Sequence, residues 1–145
     1  MSADHRLEDD LPGALISYFD ARNAAFTAAR KNLGLSELDA RALLFVAEHP
    51  GTRPRALAEF LDITSAGVTT LVDRLVTHQA IRRDTHPEDR RGVVLNAIVD
   101  LTREPWSALK IFDERIAEAV SRTPEQAGLT VALHSVISEA GRLAS

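Results

Sequence analysis

The chain has 145 residues, 45% of them apolar, and a formal net charge of −4 at pH 7. That length suits one compact domain, or one domain with an oligomerisation extension, and the composition excludes a disordered chain or a nonspecific nucleic-acid coat. The absence of cysteine excludes disulfides and thiolate zinc sites, no apolar run approaches the ~18 residues of a membrane span, and the acidic start MSADHRLEDDLPG lacks a signal-peptide core, so a cytoplasmic protein is expected.

Asp10 can cap a helix, with Pro12 in the first turn, where a missing N–H costs nothing. Leu15, Phe19, Arg22, Phe26, Ala29 and Leu33 recur at alternating spacings of four and three. A long amphipathic helix is therefore predicted over about Leu11–Asn32, with Gly34 at C′. Ser36 starts a second helix, with Asp39 placed for a capping box. SELDARALLFVAEH is apolar around much of its circumference, so this helix is expected to be central. Pro50-Gly51 breaks it. Thr52 is the expected cap of a short helix holding Arg53, Pro54, Leu57, Ala58, Phe60 and Leu61. Asp62-Ile63-Thr64 then makes a tight connection, and Thr64 caps the next helix.

That next helix carries the strongest pattern in the chain. Val68, Leu71, Val72, Leu75 and Val76 fall at i, i+3, i+4, i+7 and i+8, one apolar stripe. The other face holds Ser65, Thr69, Thr70, Asp73, Arg74 and Thr77. Two short helices joined so tightly match a helix-turn-helix unit. A strand over 80–83, the turn-rich loop THPEDRRG and a strand over 93–95 then form a hairpin. The segment 96–101 either extends that strand or begins the next helix. Thr102 is the expected cap of a helix with Pro105 in its first turn and a seam of Leu109, Phe112, Ile116 and Ala119. After SRTP, Thr123 is the expected cap of a last helix with a seam of Leu129, Leu133, Val136, Ala140 and Leu143. Such seams suit packing against other helices, best across a two-fold axis. The expected organisation is a helical dimerisation domain from 1–34 and 102–145 around a helix-turn-helix and hairpin domain at 35–101.

The stretch 53–91 holds seven Arg against six acids, while the rest of the chain carries a net −5. Positive charge is thus relatively concentrated where the helix-turn-helix lies. Ser65, Thr69 and Thr70 are candidates for base and phosphate contacts; the plainer reading is a solvated helix face. Arg74 can reach phosphate or pair with an acid of the scaffold. Arg53 and Arg55 are candidate phosphate clamps. At the hairpin tip, Arg90 and Arg91 are long enough to enter a narrow minor groove, with Asp89 orienting them; taken alone, this is a solvated turn. Tyr18, Phe19 and Trp106 can line an effector pocket, or more simply pack in a core or interface. The five histidines are scattered, so no metal and no other cofactor is expected. No Ser-His-acid set, phosphate loop or paired-carboxylate pattern can be placed, so no enzyme is expected.

This order of elements, with the residues LAEFLDITSAGVTTLVDRLVTHQAIRRDTHPEDRRGVVL, resembles the MarR family of transcriptional regulators. VTTLVDRL and PEDRRG are its most specific pieces. The resemblance implies a mainly α fold with a small β-hairpin wing, a winged helix-turn-helix homodimer whose chain ends build the dimerisation domain. It also implies sequence-specific binding of double-stranded DNA at a pseudo-palindromic operator. Such proteins usually repress, and many are released by a small, often aromatic or phenolic, ligand. The wing arginines and the hydroxyls of the helix before the wing become DNA contacts under this resemblance. The chain departs from the family at Thr70, where members often carry Arg, and at Gln79-Ala80, where a glycine is usual. The usual LT-x-x-G reads LTREP, with Pro105 for Gly, and the spacing from Arg91 to Leu101 is longer. The first departure removes a guanine-reading fork, so specificity is expected to lean on the wing and on DNA shape. Together with the acidic total, it motivates a second reading: a MarR-like dimer acting mainly as a ligand- or protein-binding module, with weak or no specific DNA binding.

Overall fold

The computed structural model describes residues 10–89 and 92–143, without the side chains of Ala140, Arg142 and Leu143. Arg90 and Arg91 therefore lie outside the described residues. The elements are α1 (Leu11–Asn32), α2 (Glu37–Glu48), α3 (Pro54–Leu61), α4 (Ser65–Thr77), β1 (Ile81–Thr85), β2 (Val93–Ala97), α5 (Ile111–Ser121) and α6 (Gln126–Leu143). The chain forms two compact units, one ending at Lys110 and one starting at Ile111. Among the described residues, no helix is long and apolar enough to cross a membrane.

In the first unit the helix ends are set by local chemistry. Asp10 Oδ1 accepts the Gly13 N–H at 2.8 Å, and the chain leaves α1 through Gly34 at φ +68°, the left-handed turn that glycine adopts without strain. Ser36 and Asp39 form the full capping box of α2. Thr64 Oγ1 accepts the Gly67 N–H at 3.1 Å and starts α4. The core lies where α2, α3, α4 and the hairpin meet. Leu43, Val46, Leu57, Val68, Leu71, Leu75, Ile81 and Leu95 are fully buried there, each contributing about 1.5–3 kcal/mol of transfer free energy. α1 packs on α2 and on a 3-10 helix at Trp106–Leu109, with Phe26 and Leu33 against this core.

β1 and β2 pair antiparallel from Ile81↔Ala97 to Thr85↔Val93, so the open segment 96–101 begins as strand. Thr52 has a different part from the one expected. It bridges Leu95 across the sheet edge, with Leu95 N–H donating to its carbonyl at 2.8 Å. Its hydroxyl donates to the His49 carbonyl, and Arg53 is the N-cap of α3, with no side-chain cap bond. Pro54 at the start of α3 brings no orphan N–H of its own.

Thr102 also differs from expectation. Its N–H and hydroxyl both donate to Asp100 Oδ1, at 2.9 and 2.6 Å, a local turn that competes with helix initiation. Pro105 further disfavours helical geometry at Glu104. The chain passes through turns and the 3-10 helix, and α5 begins only at Ile111. The expected seam is split: Leu109 is buried in the core of the first unit, while Phe112 and Ile116 belong to α5. In the second unit the Thr123 hydroxyl donates back to the Ala119 carbonyl at 3.3 Å, so it closes α5 and does not cap α6, which starts at Gln126. α6 leaves Leu129, Val131, Val136 and Ile137 exposed.

Gln79 sits at φ +55° between α4 and β1, in the left-handed region that favours glycine. A side chain in this region costs about 1–2 kcal/mol. Gln79→Gly is expected to raise the unfolding free energy by about 0.5–1 kcal/mol, part of the relief being offset by the freer unfolded chain. A urea titration measures this; an unchanged or lowered midpoint would show that the strain is compensated in place.

Candidate nucleic-acid interface

α4 is two-faced because its stripe is. Val68, Leu71, Val72 and Leu75 are buried, and Ser65, Ala66, Thr69, Thr70, Asp73 and Thr77 are exposed. The Ser65 and Ala66 amides at its start are the orphan donors of a helix N-terminus, a favourable place for phosphate. The Thr69 hydroxyl donates to the Ser65 carbonyl at 3.0 Å and the Thr70 hydroxyl to the Ala66 carbonyl at 3.2 Å.

Two ionic struts fix how α4 is rolled. Arg74 donates from Nε to Asp39 Oδ2 at 3.1 Å and from Nη2 to Asp39 Oδ1 at 2.6 Å. The Asp39 side chain is 4% exposed and that of Arg74 is 46% exposed. Burial alone would raise the Asp39 carboxyl. The hydrogen bonds from Arg74 and Ser36, with the Arg74 charge, outweigh burial and hold it below the ordinary aspartate value. The bond to Asp39, with its charge, raises Arg74 above its ordinary value. On the next residue, Asp73 accepts from Arg83 of β1, tying α4 to the wing. α3 is held by stacking. The Phe60 ring lies 4.2 Å from Phe45, with His49 stacked behind at 4.4 Å and the Arg41 guanidinium 5.7 Å from the Phe60 centroid.

The other candidates are spread around this centre. Arg53 is exposed at the N-cap of α3 and has no ion-pair partner among the described residues. Arg55 pairs with Glu59 at 2.9 Å, an open pair that contributes little in water and can be exchanged for phosphate. Asp89 ends the described part of the wing, its carbonyl accepting the Gly92 N–H at 2.8 Å. At the base of the wing Arg82 donates to Asp84 at 2.8 Å, Asn96 donates to Asp84 at 2.6 Å, and the Gly51 N–H donates to Asn96 Oδ1 at 2.7 Å. The bonds from Arg82 and Asn96 hold the Asp84 carboxyl below its ordinary value. Of the proposed effector aromatics, Tyr18 and Phe19 meet edge-on at 5.5 Å, with Phe19 63% exposed. Trp106 packs half-buried against the core of the first unit.

Sequence reasoning missed three members of this arrangement: Asp39 as the partner of Arg74, the Asp73–Arg83 pair, and Thr52 as a brace of the wing. The only local signal was at Asp39, whose capping role was legible. Its second role spans 35 positions.

The family model described as "MarR family" matches residues 33–92, which run from the end of α1 through the wing. No curated protein matches the chain by sequence. Among solved structures, RV1404 from Mycobacterium tuberculosis is similar over 97% of this chain and 96% of its own, with 24% identity and a TM-score of 0.67. MepR of S. aureus bound to ethidium bromide is similar over 90% of this chain and 96% of its own, with 17% identity and a TM-score of 0.67. The S. aureus MepR–DNA complex covers 85% of this chain and 96% of its own, with 18% identity and a TM-score of 0.56. At these identities the likeness is one of fold. Residues 33–92 thus match the MarR family, and the chain shares the fold of these solved structures.

Proposed function

We propose that the protein is a sequence-specific DNA-binding transcriptional regulator and not an enzyme. It acts in the cytoplasm as a homodimer on a pseudo-palindromic operator. The observation that carries this reading is the exposed edge of short side chains on α4, backed by a buried stripe and locked by struts to α2 and to β1. Such an edge can lie in a major groove, and an edge locked in roll can hold one register there. In this reading Ser65, Thr69 and Thr70 meet the groove and Arg53 and Arg55 meet phosphates. Arg90 and Arg91 enter the adjacent minor groove, with Asp89 orienting them. Arg74 belongs to the scaffold and offers phosphate only its remaining N–H groups. The dimerisation domain comprises 1–34 and 102–145, and it sets half-sites about one helical turn apart. The DNA-bound MepR structure supports the DNA reading, and the ethidium-bound one supports a small-molecule effector. We further propose that the protein represses until a small aromatic ligand, received near Tyr18, Phe19 and Trp106, releases it.

A second reading has its own support. Four of the five described arginines between 53 and 83 are already paired with acids of the same chain. That favours a binding module with weak DNA affinity. Selection of bound fragments from random duplex DNA separates the two. A regulator enriches a pseudo-palindrome and loses affinity steeply with salt. Arg90→Ala is expected to lower that affinity at least tenfold while sedimentation shows an unchanged oligomer. Enrichment of no sequence would leave the binding module standing.

A further inference from the structure

We infer that the α4 edge selects A·T base pairs by apolar contact with the thymine methyl group and lacks the paired donors that would read guanine. This rests on the DNA-binding reading above and specifies what that site takes. The edge is poor in donors. The hydroxyl protons of Thr69, Thr70 and Thr77 are spent on the carbonyls of Ser65, Ala66 and Asp73, at 3.0, 3.2 and 2.9 Å. Each threonine is left with an oxygen that can only accept and with an exposed side chain that carries a methyl group, and exposed Ala66 adds a further methyl. The one Arg of α4 has Nε and Nη2 on the buried Asp39, which turns it toward α2 and away from the edge. Asp73, the other charged group on the edge, is held by Arg83 and can only accept. Ser65 is the single edge side chain with a hydroxyl proton not spent among the described residues.

Guanine presents two acceptors in the major groove, N7 and O6. A side chain with two donors is what singles guanine out, and Thr69 and Thr70 supply none; adenine N7 and thymine O4 are acceptors too, so what the edge can tell apart is the thymine methyl. An A·T pair presents the adenine amino group, which can donate to a threonine oxygen, and the thymine methyl, which packs on the methyls of Ala66, Thr69 or Thr70. The edge and the A·T pair are therefore complementary in apolar contact, and no guanine-reading pair of donors on the edge offsets that preference.

The test starts from the duplex enriched in the fragment selection. Deoxyuridine is placed for each thymine in turn, which removes only the 5-methyl group, and affinity is measured by fluorescence anisotropy. Within each half-site, the thymines under α4 are expected to lose about fourfold, the weight of one buried methyl group. Exchanging the same pairs for G·C removes the same methyl and is expected to cost about fourfold as well. Thr70→Arg, which returns a fork to the edge, is expected to make the selection enrich a guanine at one position per half-site. Half-sites that carry an invariant guanine under α4 with the native chain, and that tolerate uracil throughout, would overturn this inference and leave DNA binding intact. A selection that enriches nothing overturns the DNA reading itself, before any uracil is placed.

Discussion

Arg74→Met is expected to lower the unfolding free energy by about 2 kcal/mol at pH 7 and to reverse the acid limb of the stability profile. Removing one partner of a fully buried ion pair costs about 3–5 kcal/mol, because the other charge stays buried alone. Here the orphan is Asp39, with a 4% exposed side chain, but the lost partner is 46% exposed and the site can admit water, which reduces the figure. The pH dependence follows from the carboxyl. In the native chain burial raises Asp39, and the Arg74 and Ser36 bonds lower it further than burial raises it. Its folded value lies below its unfolded value, so the pair's contribution is present above about pH 4 and is lost as pH falls through the folded value. Without Arg74 the largest opposing bond is gone, and burial is expected to carry the folded value above the unfolded one. The variant then gains stability relative to the native chain as pH falls through that raised value. Urea titrations at pH 7 and near pH 4 measure both effects. A variant with native stability at both pH values, and weakened DNA binding, would instead place Arg74 on phosphate.

The contrast between Asp39 and its neighbours shows what the chain's order of residues made legible. Caps and stripes are written within a few positions. Asp10 with Pro12, Ser36 with Asp39, Thr64 and the α4 stripe all lie where their spacing puts them. The same local logic failed at Thr52, Thr102 and Thr123. Each is a good capping residue, but each found a competing partner: β2 with the His49 carbonyl, Asp100, and the Ala119 carbonyl. A threonine hydroxyl bonds whichever acceptor the fold brings near, and that depends on elements placed elsewhere. The α4 edge was legible as a row of hydroxyls. Where their protons go was not, and the base preference inferred above turns on that point. The struts at Asp39–Arg74 and Asp73–Arg83 join residues on different elements, so no periodicity announces them.

Val136→Glu is expected to turn the proposed dimer into a monomer and to abolish tight binding of the full operator. In its own unit α6 leaves Leu129, Val136 and Ile137 at 39%, 44% and 64% exposure. With Leu133 they fall on one side of the helix at spacings of four, three and one. Each such side chain, when covered, contributes about 1.5–3 kcal/mol, and a monomer would leave the row in water. A two-fold axis puts the same residue on both sides, so a single substitution places two buried carboxylates in one interface. That cost exceeds the gain from the remaining contacts. Sedimentation at micromolar concentration should show the halved mass. Affinity for a full pseudo-palindrome should fall by about 10²–10⁴, the advantage of two linked sites, while affinity for a single half-site stays as it was. This split separates loss of the dimer from damage to the reader, since α4 and its struts lie in the other compact unit. A dimer that survives Val136→Glu would move the two-fold interface to other exposed apolar residues, of which Ile16 and Phe19 on α1, at 57% and 63% exposure, are the next to substitute.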